Sequence, residues 1–217
     1  MDEKVGQVFS IAEDNTPVLG CTISREVYGR DDRITYFSLA KGTDISAEIH
    51  PSPKFILVAA GSLAVYGPGR EPRLLESGDA ILTAADEAVG MRSATGAVYT
   101  EVALGKGGTM NEVIKAGEVF RLAELVPYQA GRIVNMDVLA NDRMKFVVMA
   151  FAEGTGLSEH AAPGEALIFA LDGEGIIGYE GQEHVIKAGE NFHFAKGGRH
   201  FVKAAKPFKM ALLLTLE

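Results

Sequence analysis

The segment GQVFSIAE begins at Gly6 and GEVFRLAE begins at Gly117, an offset of 111 residues. This recurrence constrains the chain more than any other feature. Asp32-Arg33 returns as Asp142-Arg143, Gly42-Thr43 as Gly154-Thr155 and Pro51 as Pro163. Gly61 returns as Gly173, and Gly78-Asp79 as Gly189-Glu190. The chain therefore reads as a duplication of one unit of about 105 residues, an ordinary domain size. With 217 residues, 47% of them hydrophobic, each half can bury a core of its own.

Each unit reads as β. In the second, 144–151, 166–171, 175–179, 183–186, 191–194 and 210–215 are short apolar or alternating runs punctuated by Gly, Pro and Asp. That is the pattern of a sandwich or barrel. Apolar residues at three- and four-residue spacing predict short helices at 8–13 and 119–125, and GKGG heads a linker over 105–117. The expected division is a first barrel over 1–105, a linker with a short helix over 106–125, and a second barrel over 126–217.

Charge and cysteine content exclude several function classes. Twenty-one basic residues against 29 acidic ones leave a net charge of −8, with no local Lys/Arg cluster, which disfavours nucleic acid and anionic lipid. Cys21 is the single cysteine, so neither an intramolecular disulfide nor a cysteine-rich zinc site is available. It reads as a small buried residue. The opening MDEKVGQVFSIAEDN has no apolar core of signal-peptide length, and no apolar run approaches the roughly 20 residues of a membrane span. A cytoplasmic protein without a membrane partner is the expectation.

Two segments of the second unit carry a family resemblance: SEHAAPGEALIFALDGEG over 158–175 and KAGENFHFAKGGRH over 187–200. Together they resemble the two motifs of the cupin superfamily. His160 falls on the second histidine of the first motif, Glu165 on its glutamate, Gly173 on its glycine, and His200 on the histidine of the second motif. Ser158 stands where the first histidine would be, and Ala195 where a proline would be. The resemblance implies an all-β fold of two tandem jelly-roll barrels (a bicupin), frequent dimers and, in many members, a metal. It implies no particular reaction.

His160, Glu165 and His200 supply two imidazoles and a carboxylate, a set suited to a divalent transition metal such as Fe, Mn, Ni or Zn with positions left open. His160 and Glu165 are also the candidate acid–base residues, and without a metal they remain a potential acid–base pair. An aromatic-lined cavity in the second barrel is the expected ligand site, with Arg143, Lys145 and Arg199 as candidate positive charges for an anionic ligand. Alternation with Phe192 and Phe194 places His193 outside the barrel, at an interface or in solvent. His184 reads as a surface residue, and His50 as structural in its turn.

The first unit has Glu48, Pro53 and Val89 at the positions of His160, Glu165 and His200. It is expected to serve as scaffold, subunit contact or cover. The functional expectation is a small-molecule-binding bicupin, a homodimer, acting as a metal-dependent enzyme on a small organic acid, sugar derivative or carbonyl compound. The alternative is a metal-free ligand-binding or sensor cupin.

Overall fold

Two of the expected second-unit strands, 144–151 and 191–194, form with the bounds read from the sequence. The computed structural model describes residues 1–105 and 107–216; Lys106, at the head of the expected linker, and Glu217 lie outside the described residues. The first half contains β1 (Val8–Phe9), helix α1 (Ile11–Asp14), β2 (Thr22–Gly29), β3 (Arg33–Leu39), β4 (Thr43–Ile49) and β5 (Lys54–Tyr66). It continues with β6 (Arg73–Glu76), β7 (Asp79–Leu82), β8 (Ala88–Ser93) and β9 (Ala97–Ala103). Next come β10 (Thr109–Met110), β11 (Val119–Arg121), a 3₁₀ turn (Leu122–Glu124), β12 (Ile133–Ala140), β13 (Met144–Phe151) and β14 (Gly156–Ala161). The chain finishes with β15 (Ala166–Tyr179), β16 (Gln182–Lys187), β17 (Asn191–Phe194), β18 (Arg199–Lys203) and β19 (Phe208–Thr215).

Each half curls into a barrel around one long strand. β5 pairs with β7 and β9 over its first part and with β6 and β8 over its second; β15 does the same with β17 and β19, then β16 and β18. Both long strands bend at a bulge, between Val58 and Ala60 and between Ala170 and Asp172. Beside each bulge lies one of the repeated glycines. Gly61 and Gly173 have φ of +76° and +72°, and a Cβ there would strike the carbonyl oxygens of Gly96 and Pro207. Only glycine meets both requirements.

The barrels exchange their leading strands. β1 pairs antiparallel with β17 of the second barrel, and β11 with β7 of the first. The helices expected at 8–13 and 119–125 are therefore each a short strand followed by a single turn. Such short helical segments cannot stand alone, and an open sheet edge satisfies more of the backbone than one more turn would. Ser10 caps α1, its Oγ accepting from the Glu13 N–H at 3.3 Å. The division at 1–105, 106–125 and 126–217 remains our proposal for the units, with these two strands traded between them.

Three apolar clusters hold the molecule together. Ile56, Val58, Leu63, Leu75 and Tyr99 fill the first barrel, and Ile168, Phe151, Phe192, Phe194 and Phe208 fill the second. The third lies between the barrels, where Phe55, Leu57 and Val102 meet Phe146, Val148, Leu167, Phe169 and Leu213. Phe146 packs edge-on against Phe55 at 5.3 Å and against Phe169 at 5.8 Å. Successive residues of β5 and β15 thus enter different cores, which is why FILV and ALIFAL are continuous apolar runs.

Two expectations change here. Cys21 is exposed rather than buried, because it lies in the turn region just before the edge strand β2. Asp32-Arg33 is not the structural counterpart of Asp142-Arg143. In the ladders Arg33 faces Ala103 and Lys145 faces Leu214, so Arg33 corresponds to Lys145. Asp32, 1% exposed, instead locks the halves together. Its Oδ1 accepts from the Gly105 N–H and from Asn141 Nδ2, both at 2.7 Å, and its Oδ2 from Arg143 Nε at 3.3 Å. No helix among the described residues is long and apolar enough to cross a membrane.

Candidate functional site

Antiparallel pairing of β14 with β18 sets His160 directly opposite His200. The equivalent ladder in the first barrel sets Glu48 opposite Val89, as the repeat implies. The imidazole centroids lie 4.2 Å apart with the rings inclined at 55°. His200 is 6% exposed and stacks on Phe194 at 4.1 Å, while His160 is exposed. His160 Nδ1 lies 2.8 Å from the Ser158 carbonyl, and His200 Nδ1 3.1 Å from that of Gly198. A carbonyl only accepts, so each Nδ1 carries a hydrogen, and in the neutral form of either ring the lone pair is on Nε2. Burial holds the His200 pKa below the ordinary histidine value; the Gly198 carbonyl opposes this shift and His160 adds to it.

Glu165 does not join the pair. Along β15, Ala166, Ile168 and Ala170 enter the barrel, whereas Leu167 and Phe169 face the core between barrels. Glu165, hydrogen-bonded through its carbonyl to the Thr215 N–H at 2.8 Å, continues the ladder with the outward parity. Its carboxylate pairs with the Met1 ammonium group. Among the described residues no group of three or more His, Cys, Asp or Glu could hold a metal ion. The donors at this position reduce to two imidazoles, one short of the three protein ligands usual at a catalytic metal. A three-ligand site built from His160, Glu165 and His200 does not fit this arrangement.

Other expected features also fall elsewhere. Phe151, Phe192, Phe194 and Phe208 are fully buried and pack against one another inside the second barrel, as core rather than as walls of a cavity. Arg143 pairs with Asp31 and Asp32, Lys145 with Asp137 at 3.0 Å, and Arg199 Nε with Glu159 at 3.1 Å, so all three charges already have carboxylate partners.

His193 does face away from Phe192 and Phe194, yet it is fully buried. The N-terminal segment covers it. Val5 bridges to His193, the Gly6 N–H donates to its carbonyl at 3.0 Å, and its Nδ1 lies 3.3 Å from the Glu3 carbonyl. Its Nε2 has no hydrogen-bond partner, and burial lowers its pKa. Alternation along one strand cannot reveal a cover supplied from about 190 residues away. His184 is half-buried against Phe192, at 5.1 Å between rings. His50 Nε2 lies 3.8 Å from the Glu48 carboxylate.

The polar interior lies in the first barrel, contrary to the expectation of a plain scaffold. A cavity of about 160 Å³ is lined by Phe37, Glu48, His50, Lys54, Met91 and Glu101, among others. Lys54 Nζ is 3.0 Å from Glu101 Oε1, and these side chains are 14% and 9% exposed. Glu101 Oε2 is buried with no hydrogen-bond partner. The ladders place Lys54 opposite Ala103 and Glu101 opposite Ile56, where the second barrel has Ala166 opposite Leu214 and Leu212 opposite Ile168. One signal was available: Lys54 and Glu101 are the charged residues at core-facing parity in the apolar strands β5 and β9.

Comparison with known proteins agrees with the barrels. Residues 147–216 match the Cupin domain family. No curated protein sequence matches the chain. The chain is similar to the solved structure of a Cupin 2 conserved barrel domain protein from Leptotrichia buccalis, with a TM-score of 0.86, 25% identity and 98% of each chain covered. It shares its fold with protein Ylba from E. coli, at TM-score 0.62 and 11% identity, covering 96% of this chain and 89% of that one. It also shares its fold with a salicylate 1,2-dioxygenase from Pseudaminobacter salicylatoxidans, at TM-score 0.60 and 12% identity, covering 84% and 70%. The chain thus has the two-barrel cupin fold, and its second barrel carries the match to the Cupin domain family.

Proposed function

We propose that this cupin binds a small molecule at the mouth of its second barrel through two neutral imidazoles, without a three-ligand metal. The observation that carries the reading is the His160–His200 pair. Both Nδ1 atoms are committed to backbone carbonyls, and Glu165 is held at the chain's N-terminus instead. Two Nε2 lone pairs on adjacent strands suit a ligand that presents hydrogen-bond donors, such as a hydroxyl or an un-ionised acid. An imidazole can also take a proton from such a group, so the pair is equipped for base catalysis as well as binding. The metal-dependent alternative draws on the same two histidines and needs a third protein donor.

Elemental analysis decides between them, on chain purified without a chelator or a histidine tag and then exposed to zinc, iron or manganese salts. We expect far less than one ion per chain. We also expect Ser158→His, which adds a third imidazole two residues before His160, to raise zinc affinity by more than about tenfold. A stoichiometric ion in the parent that is lost in His160→Ala or His200→Ala would overturn the metal-free reading.

A further inference from the structure

The first barrel buries a lysine–glutamate pair at the wall of a partly open cavity, where the second barrel has alanine and leucine. Nothing in the fold demands this pair, because the second barrel closes without it. A buried carboxylate is costly unless its lone pairs are occupied, yet Glu101 Oε2 has no partner. Lys54 Nζ has three hydrogens, and Glu101 takes one of them. The cavity wall thus holds an unpartnered carboxylate oxygen beside an ammonium group with further hydrogens to donate.

From this geometry we propose that the first barrel is a second ligand site, for a small neutral polyhydroxy compound. A hydroxyl group both donates and accepts. One hydroxyl, or two neighbouring ones, can donate to Glu101 and accept from Lys54, with a small rotation of the carboxylate bringing its free oxygen to the cavity. A free anion meets repulsion from Glu101 and from the Glu48 and Glu87 carboxylates that also line the cavity, a free cation meets repulsion from Lys54 at its wall, and a neutral ligand leaves the ion pair intact.

Size agrees with this assignment. The cavity of about 160 Å³ is comparable to an engineered void of about 150 Å³ that accommodates a six-membered ring. The lining supplies both faces such a molecule needs. Phe37 and Met91 offer apolar surface for its C–H groups, while Ser46, Thr83, Glu48 and His50 offer further hydrogen bonds. This site is separate from the histidine pair and stands or falls independently of it.

The test is ligand-detected NMR and calorimetry on the full chain with glycerol, xylitol and myo-inositol, using ethylamine and acetate as charged controls. At least one polyol should bind saturably, and both controls should fail. Glu101→Gln should weaken that binding by about tenfold or more, the scale of a lost hydrogen bond to a charged group. The double variant Lys54→Ala/Glu101→Leu gives the first barrel the residues of the second, so it should fold and lose the binding. If the double variant fails to fold, Glu101→Gln decides the matter.

His200→Ala should leave polyol binding unchanged. Loss of binding in His200→Ala with retention in the double variant would sink this inference and leave the second-barrel reading standing. The inference is also overturned if no polyol binds the parent, or if only a charged control does.

Discussion

Replacing Phe55 with alanine probes whether the two barrels share one core. Phe55 is 1% exposed and lies in the cluster between the barrels, in edge contact with Phe146 at 5.3 Å and tilted against Phe120 at 6.2 Å. Removing the ring forfeits roughly 150 Å² of apolar burial, which at about 25 cal/mol per Å² is ~4 kcal/mol. That falls within the 3–5 kcal/mol usual for Phe→Ala in a core. The melting temperature should fall by about 8–16 °C.

The assay is urea unfolding followed by far-ultraviolet circular dichroism and by tyrosine fluorescence, since the chain has six tyrosines and no tryptophan. Both probes should report one shared transition, because each barrel lends the other a strand and half of a core. A double-mutant cycle with Phe146→Ala should show coupling of about 0.5–1.5 kcal/mol. Two separate transitions, or a loss below about 1 kcal/mol for Phe55→Ala, would refute the shared core.

Four further outcomes are expected. Gly173→Ala should destabilise by about 2–4 kcal/mol, since it combines a positive φ with a clash against the Pro207 carbonyl, and the urea midpoint measures it. Asp32→Ala should cost about 2–4 kcal/mol by leaving the Gly105 N–H and the Asn141 amide without their acceptor; the same titration reads it. His193 has a lowered pKa in the folded state, so the unfolded chain takes up the proton first as pH falls. Its contribution is full above about pH 6.5 and is lost as pH drops through the folded value; His193→Leu should flatten the stability curve measured between about pH 7.5 and 5. Light scattering should give twice the chain mass of 23.1 kDa, because β2 is a sheet edge that among the described strands pairs with β3 alone and carries exposed Ile23.

The two-barrel fold was legible in the sequence alone. Glycines recur where bulges and turns require them, and apolar runs recur where strands are buried on both faces; both demands are local, so they leave a periodic trace. The opposition of His160 and His200 was legible too, through the motif spacing.

Only the tertiary structure decided the rest. Whether Glu165 enters the barrel depends on its parity relative to β15, which begins at the next residue, and the hydrogen bond from Thr215 sets that parity where the motif spacing does not. His193 is buried because residues 3–6 cross from the other end of the chain, and Asp32 meets Arg143 rather than occupying the place that Asp142 has in the second barrel. Val8 and Val119 join the opposite barrels because that is where an open edge waits for them. Lys54 and Glu101 lie 47 residues apart in the sequence, and nothing in their own segments says that each will be the other's partner. These outcomes turn on which distant strand supplies a neighbour, a property of packing that no single segment encodes.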